Sequence, residues 1–214
     1  MYFMFSGILG YLCGAIPFGY LYVRLFKGQD LRQIGSGRTG GTNSLRAGGL
    51  AVGILTGASD AFKGALAIWL VRFFFGDALG PEWLPWLEIS AGICAVMGHN
   101  WSIFLGFTGG AGTGPNVGWA LAIWPWLGLI GFIVVVGLLL AVGMASVASL
   151  STALVIPLTF AVLYALGIVN TPAYVVGGLI TAVIVTWSLR PNIERLLAGN
   201  ERVVGPAARR QNKS

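Results

Sequence analysis

Residues Gly35-Ser36-Gly37-Arg38-Thr39-Gly40-Gly41-Thr42-Asn43-Ser44-Leu45-Arg46 form a polar, cationic, glycine-rich stretch between two long apolar runs. Glycine reaches backbone conformations closed to other residues, so such a loop can turn several N–H donors toward one anion. Ser36, Thr42 and Asn43 add neutral hydrogen-bonding groups. Arg38 and Arg46 add planar forks suited to phosphate. The chemistry implied is the handling of a phosphorylated compound.

Two further polar segments carry groups of the same kind. One is Gly98-His99-Asn100-Trp101, continuing into Phe107-Thr108-Gly109-Gly110-Ala111-Gly112-Thr113-Gly114. Its glycines suit a second anion cradle, with amides aimed from the start of a helix. They suit equally a flexible turn, or small residues that let helices approach closely. His99 is the single histidine of the chain. It is able to serve in acid–base chemistry near neutral pH, or to orient a loop by hydrogen bonding. Phe104 stands five positions after it, where a histidine–aspartate acyltransferase pair would need a carboxylate, so that mechanism is excluded. The other segment runs from Leu189 through Asn192 and Arg195 to Glu201. Asp60 and Lys63, three apart in an apolar run, share a helix face. They either neutralise each other, or Lys63 helps hold a phosphate.

The elements that must position these groups follow from composition. Of 214 residues, 56% are hydrophobic and only 9% charged, against about 25% charged in soluble domains. No dyad alternation of a membrane barrel is present. The expected fold is therefore all-α, a polytopic integral membrane protein with seven spans near 3–24, 51–75, 86–105, 115–126, 128–144, 150–168 and 173–189. The fourth is short and reads as a tilted or re-entrant segment. Met1–Val23 lacks a positive n-region and reads as a retained first span rather than a signal peptide. Trp83, Trp86, Trp124 and Trp126 fall near span ends, as interfacial anchors do. Cys13 and Cys94 lie in apolar runs and read as packing residues, with no disulfide or metal-ligand spacing.

Charge sets the orientation. Eleven of the thirteen basic residues lie around the first polar loop or in the C-terminal segment, which seven spans put on one side. The positive-inside rule then places the N-terminus outside and the C-terminus in the cytoplasm. Residues 1–205 are expected to form one transmembrane domain. Residues 206–214 are expected to be a basic, disordered cytoplasmic tail, able to meet anionic lipids.

This topology brings three segments, distant in sequence, to one membrane face. They supply many phosphate-binding groups and no strong base, serine elbow, cysteine–histidine pair or metal cluster. That suits an already activated substrate such as an acyl phosphate, whose leaving phosphate takes the proton of the attacking hydroxyl.

The three segments resemble the motifs of the bacterial acyl-phosphate:glycerol-3-phosphate acyltransferases, the PlsY family. Ser36, Gly37, Gly40, Thr42, Asn43 and Arg46 match its Ser-Gly-Asn-x-Gly-Ala-Thr-Asn motif and the arginine after it. Gly98, His99, Phe107, Gly109, Gly110 and Gly112 match its Gly-His…Phe-Lys-Gly-Gly-Lys-Gly pattern. Asn192, Ile193, Arg195, Leu196, Gly199 and Glu201 match His-x-x-Asn-Ile-x-Arg-Leu…Gly-x-Glu. Asp60, Lys63 and Gly64 match Asp-x-x-Lys-Gly. The chain departs at Arg38 (Asn in the pattern), at Thr108 and Ala111 (both Lys) and at Leu189 (His).

The resemblance implies transfer of a fatty acyl group from acyl phosphate to the 1-hydroxyl of glycerol 3-phosphate. Lysophosphatidic acid would form at the bacterial plasma (inner) membrane, with no metal or other cofactor and no nucleic acid involved. It implies catalytic roles for Ser36, Arg46 and Asn192. Substrate would be bound by Arg38, Thr42, Asn43, Lys63, His99, Gly109, Gly110, Gly112 and Glu201. Membrane lipids are the other expected partners. The replaced lysines and histidine leave a second reading, a catalytically silent relative that serves a membrane complex as a structural or lipid-binding subunit. A transporter for a phosphorylated solute fits poorly, because no internal repeat is found.

Overall fold

A bilayer offers the backbone no hydrogen-bond partner, so long apolar runs satisfy their own peptide groups as helices. The computed structural model describes residues 1–204, and these form ten α-helices with no named strand. They are α1 (Tyr2–Ala15), α2 (Phe18–Lys27), α3 (Gly41–Gly48), α4 (Leu50–Phe75) and α5 (Leu84–Asn100), then α6 (Thr113–Ile123), α7 (Pro125–Ala141), α8 (Ala145–Ala165), α9 (Ala173–Ser188) and α10 (Arg190–Leu197). Three apolar segments are long enough to cross a bilayer: Tyr2–Lys27 taken across its break, Leu50–Phe75 and Ala145–Ala165. A fourth arises if α9 and α10, bent by 64°, form one span. The expected tail, 206–214, lies outside the described residues.

The first expected span is not continuous. Pro17 has no N–H and pushes Ile16 out of the helical region, to ψ 116°. The carbonyls released by the break find side chains instead. Ser102 Oγ donates to Ala15 O at 2.6 Å, and Lys63 Nζ donates to Ile16 O at 2.8 Å. The fourth span is as short as expected, and the packing gives the reason. At about 1.5 Å per residue, α6 is roughly 16 Å long. It starts well inside the bundle, where Gly114 abuts Asp60, ten residues into α4. It ends where Ala122 O accepts from Arg72 Nη1 at 3.0 Å. The third span ends at Asn100 rather than near 105, and the chain then turns back through a Ser102–Thr108 bridge. The sixth begins at Ala145, earlier than expected, and accommodates Pro157 internally.

Two seams hold the half of the bundle that carries the site. Along α1 and α5, Gly10 and Gly14 lie directly on Ala91 and Ala95, where a Cβ would strike backbone. Ser6 Oγ donates to Leu87 O (2.5 Å) at one end of this seam, and Tyr11 donates to Trp101 O (2.8 Å) at the other. Contacts advance together along both helices, so α1 and α5 run parallel. The second seam packs α4 alongside α6. The adjoining core stacks Trp119 on Phe160 and Phe160 on Tyr174, each pair 5.4 Å apart. Away from the polar loops, Arg72 Nε meets buried Glu88 at 2.5 Å, and Tyr174 donates to the other carboxylate oxygen at 2.5 Å. In the fold they tie the far ends of α4, α5 and α9 together.

The N-terminus of α1 lies at this far end, with Phe3 against Trp83. Residues 188–201 gather at the opposite end, beside the glycine loops.

Candidate active site

The first polar segment is organised by Asn43, which α3 delivers into the loop before it. Asn43 Nδ2 donates to Ile34 O (2.8 Å), Arg38 O (2.9 Å) and Leu31 O (3.3 Å), while its Oδ1 accepts the Ser36 N–H at 3.1 Å. The loop can wrap this side chain because Gly35 and Gly37 sit at φ 56° and 71°, a region costly for other residues. The entry to the loop is fixed by Asp30, whose carboxylate caps the turn Leu31–Gln33 and pairs with Arg32 at 2.7 Å. Those contacts hold the half-buried Asp30 carboxyl down at about 2. Ser36 Oγ accepts the Arg38 N–H at 3.4 Å, and Thr42 is half-buried in the first turn of α3.

The second segment is stitched onto the first. Thr39 N–H donates to Gly109 O at 3.3 Å, and Arg38 Nη1 donates to Gly110 O at 3.0 Å. His99 supports the loop from beneath. Its carbonyl accepts the Gly110 N–H at 2.9 Å, and its ring fills the space a Cβ on residue 110 would need. Behind it, His99 Nδ1 lies 3.5 Å from Asp60 Oδ1, which also pairs with Lys63 Nζ at 2.9 Å. Lys63 is 1% exposed and His99 5%. Both are engaged inside the bundle, so they reach the site only through the loop they support. Gly112, at φ 84°, turns the chain into α6.

The third segment is folded by α10. Asn192 Nδ2 donates to Glu201 Oε1 (2.8 Å) and Arg195 Nε to Glu201 Oε2 (3.2 Å). Arg38 reaches the end of α9 just before this segment, its second Nη donating to Ser188 O. Asn100 Nδ2 donates to Ser188 Oγ at 2.7 Å. The Oδ1 atoms of Asn100 and Asn192 are buried and have no partner among the described residues.

Charge is unbalanced here. Burial depresses the Arg38 guanidinium below the usual arginine range, and Arg195 depresses it further, while Glu201 acts the other way. Arg46 is depressed by burial and by Arg202, again opposed by Glu201. Four arginines thus share the field of one carboxylate, with Ser36 and two orphan amide oxygens nearby. Such a cluster gains from anions brought among its members, and arginine forks bind phosphate oxygens in pairs.

The structure therefore brings together Ser36, Arg38, Arg46, Gly109, Gly110, Gly112, Asn192 and Glu201, and places Asn43, Lys63 and His99 as supports behind them. Sequence reasoning did not select Asn100, Ser188, Arg195 or Arg202. Arg195 stood in the third motif and Asn100 beside His99, so adjacency would have found both. Nothing in the sequence marks Ser188.

The sequence model of the glycerol-3-phosphate acyltransferase family matches residues 4–199. The glycerol-3-phosphate acyltransferase of Trichormus variabilis is 37% identical over 208 residues, covering 92% of this chain and 90% of that protein. That of Parasynechococcus marenigrum is 38% identical over 202 residues, covering 94% and 89%. The crystal structure of PlsY, an integral membrane glycerol 3-phosphate acyltransferase, in its glycerol 3-phosphate form superposes with a TM-score of 0.80 at 32% identity. It covers 95% of this chain and 96% of that one. The lysophosphatidic acid form gives 0.78 at 30%, covering 95% of each chain. Over nearly its whole length, then, this chain belongs to the glycerol-3-phosphate acyltransferase family of integral membrane proteins, the PlsY family.

Proposed function

We propose that this protein transfers a fatty acyl group from acyl phosphate to the 1-hydroxyl of glycerol 3-phosphate, making lysophosphatidic acid for phospholipid synthesis. The observation that carries the reading is the gathering of Arg38, Arg46, Arg195 and Arg202 around Glu201 beside the Gly109–Gly112 loop. The substrates bring two phosphates; Arg46, Arg195 and Arg202 are the cations to receive them, while the Arg38 fork is spent on the Gly110 and Ser188 carbonyls. The glycerol hydroxyl oxygen attacks the acyl carbon, the bond from that carbon to the phosphate oxygen breaks, and the hydroxyl proton leaves on the phosphate. No protein base is required, which suits a site whose one histidine is buried and engaged.

Within this reading Ser36 and Arg46 hold and orient substrate phosphate, and Thr42 borders their binding face. Gly109, Gly110 and Gly112 present amides to the acyl phosphate. Asn192, its amide nitrogen fixed by Glu201, offers its free Oδ1 to the glycerol hydroxyl. Asn43, Lys63 and His99 set the loop shapes. The chain crosses the bacterial inner membrane seven times, with α1/α2, α4, α5, α6, α7, α8 and α9 as the crossings and the site at the cytoplasmic face. No observation favours the silent-subunit reading.

The test is release of inorganic phosphate by purified protein given palmitoyl phosphate and glycerol 3-phosphate. Release should require both substrates and fall at least about a hundredfold in Arg46→Ala, the loss of about 3 kcal/mol of charge-assisted hydrogen bonding. Equal release by the variant would sink the assignment of Arg46. No release by the wild-type protein would sink the reaction itself.

A further inference from the structure

Among the described residues, Arg38 is the side chain whose contacts join the first two polar segments to the residue that leads into the third. It belongs to the first, donates to Gly110 O in the second, and donates to Ser188 O at the end of α9, just before the third. We propose that Arg38 is a positioning residue: its guanidinium clamps the glycine loop to the end of α9 and turns the Gly110–Ala111 peptide toward the acyl phosphate. The inference deepens the acyl-transfer reading above and rests on it.

In a planar trans peptide the C=O and the following N–H point in opposite directions. With Gly110 O held on Arg38 Nη1 at 3.0 Å, the Ala111 N–H is directed away from the guanidinium. That N–H has no acceptor among the described residues. A cation on the carbonyl polarises the amide, so the same N–H becomes a stronger donor. The next residue, Gly112, opens α6, and the unpartnered Asn100 Oδ1 sits against it, 3.1 Å from where a Cβ would lie. Asn100 is itself fixed by Ser188, the residue whose carbonyl takes the other Arg38 donor.

The two carbonyls chosen by Arg38 are informative in a second way. They belong to the residues immediately before Ala111 and Leu189, positions where the family pattern carries a lysine and a histidine and this chain carries no charge. Leu189 is buried in the apolar core, and Ala111 has no polar atom beyond its backbone. One guanidinium entering from the first segment reaches both neighbourhoods. A lysine at 38 carries its three donors on one nitrogen and lacks the planar fork that spans two separated carbonyls.

The experiment compares wild-type protein with Arg38→Ala and Arg38→Lys for phosphate release, KM for each substrate and thermal unfolding. Each is repeated with millimolar guanidinium or methylammonium added. Clamping predicts a fall in kcat of about 10–100-fold in both variants, as misplaced groups produce. KM for glycerol 3-phosphate should stay within about twofold, and kcat of Arg38→Ala should recover with guanidinium but not with methylammonium. Full activity in Arg38→Lys would overturn the proposal in favour of charge alone. A raised KM with unchanged kcat would overturn it in favour of direct phosphate contact. Loss of folding in both variants, or a folded and inactive Arg38→Ala that guanidinium does not rescue, would reduce Arg38 to a structural residue. Activity in neither variant nor wild type would instead sink the acyl-transfer reading, and the clamp with it.

Discussion

Asn43 shows how much one side chain can decide. It satisfies three carbonyls and one amide of a loop that has no regular structure of its own. Asn43→Asp keeps the shape and loses the donors, setting a carboxylate against those three oxygens. Each buried group left unsatisfied costs about 1–3 kcal/mol. The expected outcome is a folded but less stable protein with little phosphate release, seen by thermal unfolding and the same assay. Unchanged unfolding would show that the loop holds without this knot. The buried trio Asp60, Lys63 and His99 makes a second case. Lys63→Met leaves Asp60 without its cation and the Ile16 carbonyl without its donor, a loss of about 3–5 kcal/mol. Adding Asp60→Asn removes the stranded charge and should recover part of the unfolding temperature. No recovery would mean that the Ile16 contact, rather than the ion pair, sets the cost. Local spacing puts Asp60 and Lys63 on one helix face but leaves open whether they pair or Lys63 holds a phosphate; the fold pairs them at 2.9 Å. Sequence alone did not give the partners of Asn43, Lys63 or Arg38. Those partners are backbone carbonyls on other elements, and every residue has one.

At the scale of elements, the apolar runs were legible because length and hydropathy define them. Three features were not. The break at Ile16–Pro17 leaves hydropathy unchanged on both sides, and its released carbonyls are satisfied by residues 87 and 47 positions away. The short helices α3 and α10 fall in glycine-rich or proline-marked polar stretches that read as loops. The boundary at Asn100 depends on a turn closed by Ser102 and Thr108. The close seams, in contrast, have a sequence signature: small residues four apart, Gly10 and Gly14 on α1 meeting Ala91 and Ala95 on α5. Gly14→Ala would drive a methyl group into the Ala95 backbone and separate the helices that hold Ala15 beneath Ser102. Overpacking of this kind costs about 1–3 kcal/mol. The unfolding temperature in detergent should fall accordingly, whereas Gly137→Ala on α7, with nothing within 4 Å of its added methyl, should leave it unchanged. Equal behaviour of the two variants would mean that the α1–α5 approach is not limiting.

At the scale of the whole molecule, the fold separates two chemical environments. One end gathers the glycine loops, Arg38, Arg46, Arg195 and Arg202. The other carries Trp83, Trp86, Trp124 and the Arg72–Glu88–Tyr174 cluster, with Asp77 and Glu82 adding negative charge there. If the proposed phosphorylated substrates are cytoplasmic, the cationic end works only when it faces that compartment, the orientation expected from the bias of basic residues. The geometry has a consequence for labelling. The N-terminus of α1 and the connection near Pro81 lie at one end, and Gly199 lies at the other. In a background with Cys13 and Cys94 replaced by alanine, an impermeant maleimide on intact cells should label Pro81→Cys. It should reach Gly199→Cys only after permeabilisation. The reverse pattern would invert the orientation and put the arginine cluster outside, where the proposed substrates are absent. Labelling of both positions in intact cells would mean that the bundle does not separate its two ends across the bilayer, and the seven-crossing arrangement would fall with it.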